Sequence, residues 1–120
     1  MKKIGIITTS KILAQSLAAA AKSYPNWEFE PYLLLNPQQA VLDAEVLRLD
    51  AVVIDAADAA LNETESLCQT LRKTTGCRLL LLAPKTGSSM AIKAIESKIA
   101  DDFVFCDTSL DYLFAKLAAI

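Results

Sequence analysis

The chain has 120 residues, 53% of them hydrophobic, with 12 Lys and Arg against 14 Asp and Glu and no histidine. That length fits one domain around a single core, and a net charge of −2 with scattered basic residues excludes the basic stripe that grips nucleic-acid phosphates. Three cysteines without C-x-x-C spacing, and no histidine, exclude the ordinary zinc sites and His-based nucleophilic catalysis and point to a reducing, cytoplasmic setting.

Lys, Asp, Glu or Asn breaks every apolar run well short of the roughly 18 residues that a membrane span needs. Residues 2–8 are the first such run. It starts Met1-Lys2-Lys3 but closes on Thr8-Thr9-Ser10 with no cleavage site, so it reads as a strand rather than a secretion signal. Ser10 is placed to cap a helix over residues 11–22, with Leu13, Leu17 and Ala20 on one face. A turn at Pro25-Asn26 leads to a second strand over residues 27–35, where Pro31 cannot donate to a ladder and so marks an edge or a bulge. Asn36-Pro37 combines a cap with proline at the first helical position and opens a helix over Pro37–Leu47.

Ala51–Asp55 is a third strand, which stops at an acid. Asn62 or Thr64 opens the next helix, which carries Leu67 and Leu71 and has Gly76 just past its end. Arg78–Ala83 is apolar after its first residue, the mark of a central strand covered on both faces. Ser88 or Ser89 caps a fourth helix with Ile92, Ile95 and Ile99 on one side. Residues 103–106 form the fifth strand, and Ser109 opens a last helix with Leu110, Leu113, Phe114 and Leu117 at i, i+3, i+4 and i+7. This strict alternation predicts an α/β fold, a five-stranded parallel sheet in a flavodoxin-like three-layer sandwich with strand order 2-1-3-4-5. The apolar ending Ala118-Ala119-Ile120 reads as a domain followed by another.

In such a sheet Asp55 lies at the carboxyl edge, where open α/β folds bind ligands and do chemistry. The segment Leu49-Asp50-Ala51-Val52-Val53-Ile54-Asp55, the start Met1-Lys2-Lys3-Ile4-Gly5-Ile6-Ile7 and the stretch Ala100-Asp101-Asp102-Phe103-Val104-Phe105 stand in one order and spacing. On them the chain resembles, over its whole length, the receiver domains of two-component response regulators. The resemblance implies Asp55 at the position of the phospho-accepting aspartate. A phosphorylated receiver also holds Mg²⁺ with two acids after its first strand. It meets the phosphoryl group with a lysine after the fifth strand and a Ser or Thr after the fourth. Here the acid positions fall on Thr8 and Thr9, the hydroxyl position on Pro84 or Ala83, and the lysine position on Cys106, with Asp107 next. The aromatic switch position falls on Phe103, which has no hydroxyl. Hydroxyls do not replace ionised carboxylates around a hard divalent ion.

The expected function is that of a degenerate receiver, a regulatory protein-interaction module that is not an enzyme and needs no cofactor and no metal. The resemblance assigns partner or dimer contacts to the face made by the fourth helix, fifth strand and fifth helix, here Met90, Lys93, Phe105, Tyr112 and Lys116. It also places such a domain at the N-terminus of a longer regulator or of a MinD-like pilus-assembly ATPase. Neither nucleic acid nor membrane is an expected partner. Two other readings stay open: a working receiver phosphorylated at Asp55, with Asp58 supplying the lost charge, and a flavodoxin-like phosphate or nucleotide binder at Thr8-Thr9-Ser10. Lys85-Thr86-Gly87-Ser88-Ser89 lacks the order of a phosphate loop and reads as a loop and cap, with Lys85 solvated. Cys106 is expected to be a small buried strand residue.

Overall fold

Each of the expected apolar runs forms a strand of one parallel sheet. The computed structural model describes residues 2–23, 29–58, 64–85 and 89–120, the side chains of Ser89 and Met90 excepted. In chain order the elements are β1 (Lys2–Ile7), α1 (Lys11–Ser23), β2 (Phe29–Leu34), α2 (Pro37–Leu47) and β3 (Ala51–Asp55). They continue as α3 (Thr64–Thr75), β4 (Arg78–Ala83), α4 (Ser89–Glu96), β5 (Asp102–Phe105) and α5 (Leu110–Ala119). The sheet order is β2-β1-β3-β4-β5, as expected. Pro31 lies on the edge strand β2, the place in a sheet where a residue without an N–H is tolerated.

The pleat of the central strands divides the core into two layers. Val52, Ile54, Leu79, Leu81 and Ala83 face the layer that holds the buried side chains of α2, α3 and α4. Ala51, Val53, Leu80 and Leu82 face the layer of α1 and α5, where Leu17, Leu113, Phe114 and Leu117 are buried. Burial on both faces explains why these strands read as continuous apolar runs. Gly5 fits between them for want of a side chain: a Cβ there would lie 2.6 Å from Leu49 Cδ1 and 3.1 Å from Leu34 Cδ1.

Side-chain caps start three helices, with Ser10 Oγ, Asn36 Oδ1 and Ser109 Oγ accepting from the N–H groups of Leu13, Gln38 and Tyr112. Left-handed residues follow α2, α3 and α4: Arg48 at φ 54°, Gly76 at φ 66° and Lys98 at φ 60°. Glycine adopts that conformation at no steric cost, whereas a Cβ is penalised. Lys98 is exposed, so Lys98→Gly is expected to raise stability by about 0.5 kcal/mol in urea unfolding.

At the amino edge of the sheet Asp101 fastens three segments. Its carboxylate accepts from Arg72 Nη1 at 2.9 Å, from Arg78 Nη1 at 3.2 Å and from the Leu79 N–H at 2.8 Å. Burial works against this charge, but the Arg72 guanidinium, the Leu79 N–H and Arg78 outweigh it and hold the carboxyl below its usual range. Asp102, beside it, pairs with Lys116 at 2.9 Å.

Several expectations change. The fourth helix does not bury an isoleucine stripe: Ala91 and Ala94 are the buried residues, Ile92 is 44% exposed, Ile95 is half-buried and Ile99 lies beyond the helix end. The residues that α4 buries fully are small, while Ile92 turns outward and Ile95 packs at the margin of the core. In α1 the buried line is Ala14, Leu17 and Ala21, flanked by the half-buried Leu13 and Ala20. In α5 Leu110 is 42% exposed, while Leu113, Phe114 and Leu117 are buried. The fifth strand starts one residue earlier than expected, because Asp102 enters the ladder opposite Leu80, and it ends at Phe105. Cys106 therefore lies outside the strand and is exposed rather than buried. The first strand likewise ends at Ile7, which leaves Thr8 in the loop. The expected turn at Pro25-Asn26, the first two residues of the expected second strand, and the caps offered to Asn62 and Ser88 lie outside the described residues.

Candidate functional site

The register of the two central strands builds the site. Ile7 of β1 stands opposite Ile54 of β3, so the next residue of each chain, Thr8 and Asp55, comes side by side at the carboxyl edge. Thr8 is fully buried and Asp55 is 7% exposed. Thr8 Oγ1 donates to Asp55 Oδ2 at 2.9 Å, and the Ala57 N–H donates to Asp55 Oδ1 at 3.2 Å. Both carboxylate oxygens are thus engaged by the chain's own loops. Burial pushes the Asp55 carboxyl above its usual range; the bond from Thr8 opposes this and the nearby Asp58 charge adds to it.

Asp58 ties the two loops together. The turn after β3, closed by the Asp58 N–H on the Asp55 carbonyl at 3.1 Å, brings its carboxylate across to the loop after β1. There Asp58 Oδ2 accepts from the Thr9 N–H and the Thr9 hydroxyl, each at 2.7 Å, and lies 3.4 Å from Thr8 Oγ1. Thr8 Oγ1 in turn accepts from the Ser10 N–H at 3.1 Å. The hydroxyl has one proton to give, and the shorter distance gives it to Asp55. Thr8, Thr9 and Ser10 therefore spend their polar groups on one another, on a helix cap and on two carboxylates.

None of the remaining receiver positions carries a cation. Pro84 follows β4 and is half-buried. Lys85, 80% exposed at its side chain, pairs with Asp107 at 3.5 Å between the loops that follow β4 and β5. Cys106 is exposed, and its N–H donates to the Ala83 carbonyl at 2.9 Å. Phe103 is half-buried against the α2–α3–α4 layer, with the Phe105 ring edge-on at 5.7 Å. Among the described residues no group of three or more His, Cys, Asp or Glu is placed to hold a metal ion. The other two thiols are inert by burial, which pushes Cys68 up to about 12 and raises Cys77 as well.

The expected interaction face does present apolar side chains. Phe105 and Tyr112 are 42% and 50% exposed, and Lys93 is exposed. Lys116 is half-buried, pairing with Asp102 and lying 5.7 Å from the centre of the Tyr112 ring. The side chain of Met90 lies outside the described residues. Sequence reasoning missed Ile92 on this face, although the small Ala91 and Ala94 three residues apart mark the true inward side of α4.

No known family model and no curated protein matches the sequence. Solved structures do match. A two-component response regulator from Clostridium difficile is 20% identical, with a TM-score of 0.83, covering 99% of this chain and 94% of the other. The Vibrio cholerae chemotaxis protein CheY4 is 15% identical with a TM-score of 0.82, covering 100% and 98%. A structure described as an adenylate cyclase from Rhodopirellula baltica is 14% identical with a TM-score of 0.87, covering 98% and 85%. These likenesses place the chain in one structural class, the flavodoxin-like parallel α/β sandwiches. Within it, the chain has the receiver fold of the two-component response regulators.

Proposed function

We propose that this domain is a degenerate receiver that regulates through protein contacts and does not take a phosphoryl group at Asp55. One observation carries the reading: the neutral hydroxyl of Thr8 bonds to Asp55 Oδ2 at 2.9 Å, in the place where a receiver's metal-holding acid would stand. Without a cation and a free lysine, a dianionic phosphoryl donor meets two carboxylates, Asp55 and Asp58, and no compensating charge. Asp55 then serves the fold as an acceptor of loop hydrogen bonds. The surface that remains for regulation is the α4–β5–α5 face, where Ile92, Phe105 and Tyr112 leave apolar area in water. A second copy of the chain covers it, and this association is the regulated contact.

The reading is tested by association. In analytical ultracentrifugation over a range of concentrations, the mass is expected to rise with concentration. A Phe105→Ala, Tyr112→Ala double variant is expected to weaken that association by roughly tenfold, whereas Asp55→Ala, or acetyl phosphate with Mg²⁺, leaves it unchanged. Association that depends on Asp55 and the phosphoryl donor would contradict the proposal.

A further inference from the structure

Helix α2 is apolar on two faces, and only one of them is covered. Ala40 and Ala44 are fully buried and Val41 and Leu47 pack beside them, which accounts for the inward side. On the outer side Leu42 and Val46 are 53% and 70% exposed. Their four-residue spacing puts them one above the other in a single stripe. A surface helix with one partner layer normally places polar residues there. The other exposed large side chains of the described residues include those of the α4–β5–α5 face; the α2 stripe is on a different helix and calls for its own occupant.

Charge selects that occupant. Successive side chains turn by 100° around a helix, so the stripe is flanked by Glu45 on one side and Asp43 on the other. The sequence of α2, PQQAVLDAEVL, contains no Lys or Arg. Arg48, which caps the helix, and Lys3, whose Nζ bonds the Leu47 carbonyl at 3.4 Å, are both tied to its C-terminal end. A second copy of the chain would set acidic rim against acidic rim in a two-fold contact. A cationic rim around an apolar stripe is the complement.

We propose that the outer face of α2 docks an amphipathic helix of a partner protein, seating its apolar stripe on Leu42 and Val46 and its flanking Lys or Arg against Asp43 and Glu45. The test uses a synthetic helical peptide about 18 residues long, with leucines on one stripe and lysines on both flanks, and a counterpart with glutamates in place of the lysines. Amide spectra of the whole chain are followed during titration. The lysine-flanked peptide is expected to shift the amides of Leu42, Glu45 and Val46, while the glutamate-flanked one leaves them in place. The exposed double variant Leu42→Gln, Val46→Gln, checked by its thermal melt for an intact fold, is expected to bind roughly tenfold more weakly. Asp43→Asn, Glu45→Gln is expected to weaken binding and flatten its salt dependence. Equal binding of the two peptides, shifts confined to the α4–β5–α5 face, or a Gln variant that binds like the parent would each overturn the proposal. None of these outcomes bears on Asp55.

Discussion

Replacing Asp101 with alanine is expected to lower stability by about 3 kcal/mol in urea unfolding at pH 7. The Leu79 N–H, on a fully buried residue, loses an acceptor at 2.8 Å, and Arg72, with its side chain 27% exposed, loses its carboxylate at 2.9 Å. Arg78 is 60% exposed and its pair with Asp101 adds little. Asp101→Asn keeps an acceptor for the Leu79 N–H and is expected to cost about half as much. The pH dependence follows from the sign of the shift. Because the folded-state carboxyl is held below its usual range, its stabilisation is present above the unfolded value of about 3.9 and is lost as pH falls through the folded value. The gap between the parent and Asp101→Ala therefore closes on the acid side of about pH 4. A gap that stays constant down to pH 2 would mean that the carboxylate is not the fastening group.

Asp55→Asn has the opposite sign. The parent buries the Asp55 carboxyl beside a second one, and burial raises its pKa, which disfavours the charged form. An asparagine keeps the acceptor for the Ala57 N–H and offers its own N–H to Thr8 Oγ1, which frees the Thr8 proton for Asp58 Oδ2. Stability at pH 7 is expected to rise by about 1–2 kcal/mol. For a carboxyl raised in the fold, the favourable contribution is complete below the unfolded value of about 3.9 and is lost as pH rises through the folded value. The advantage of Asp55→Asn is therefore largest at neutral pH and vanishes near pH 4. Thermal melts of both proteins from pH 4 to pH 8 read this directly. A variant less stable than the parent at pH 7 would mean that the charge of Asp55 holds the loops together, and that Asp58 is not its antagonist.

How far the sequence discloses this arrangement depends on how local the cause is. Pro37–Leu47, Ala51–Asp55 and Arg78–Ala83 are legible to the residue because their limits are set by neighbours in the chain: an Asn-Pro cap, an acid after an apolar run, a basic residue before one. The order of the sheet follows from the strand–helix alternation. Helix α4 is not legible in the same way. Its isoleucines recur with helical spacing, but the inward side is chosen by the room available against the sheet, and that room admits Ala91 and Ala94. Cys106 is misread for a related reason: the ladder opposite β4 ends with Phe105 at Ala83, and its end is set by the partner strand. At the site, the loss of acid at Thr8 and Thr9 is plain in the sequence. That Thr8 donates to Asp55, and that Asp58 reaches back to Thr9, depends on strand register and on the turn after β3.

In the proposed function Asp55 is held by hydrogen bonds from its own chain and serves the fold rather than phosphoryl chemistry. Titrating the protein with beryllofluoride, a mimic of the phosphoryl group, in the presence of Mg²⁺ tests it most directly, with the backbone amides of Thr8, Asp55 and Ala57 as probes. The expected spectrum is unchanged at all three, with and without the metal. Saturable, Mg²⁺-dependent shifts at Asp55 that disappear in Asp55→Asn would contradict the account.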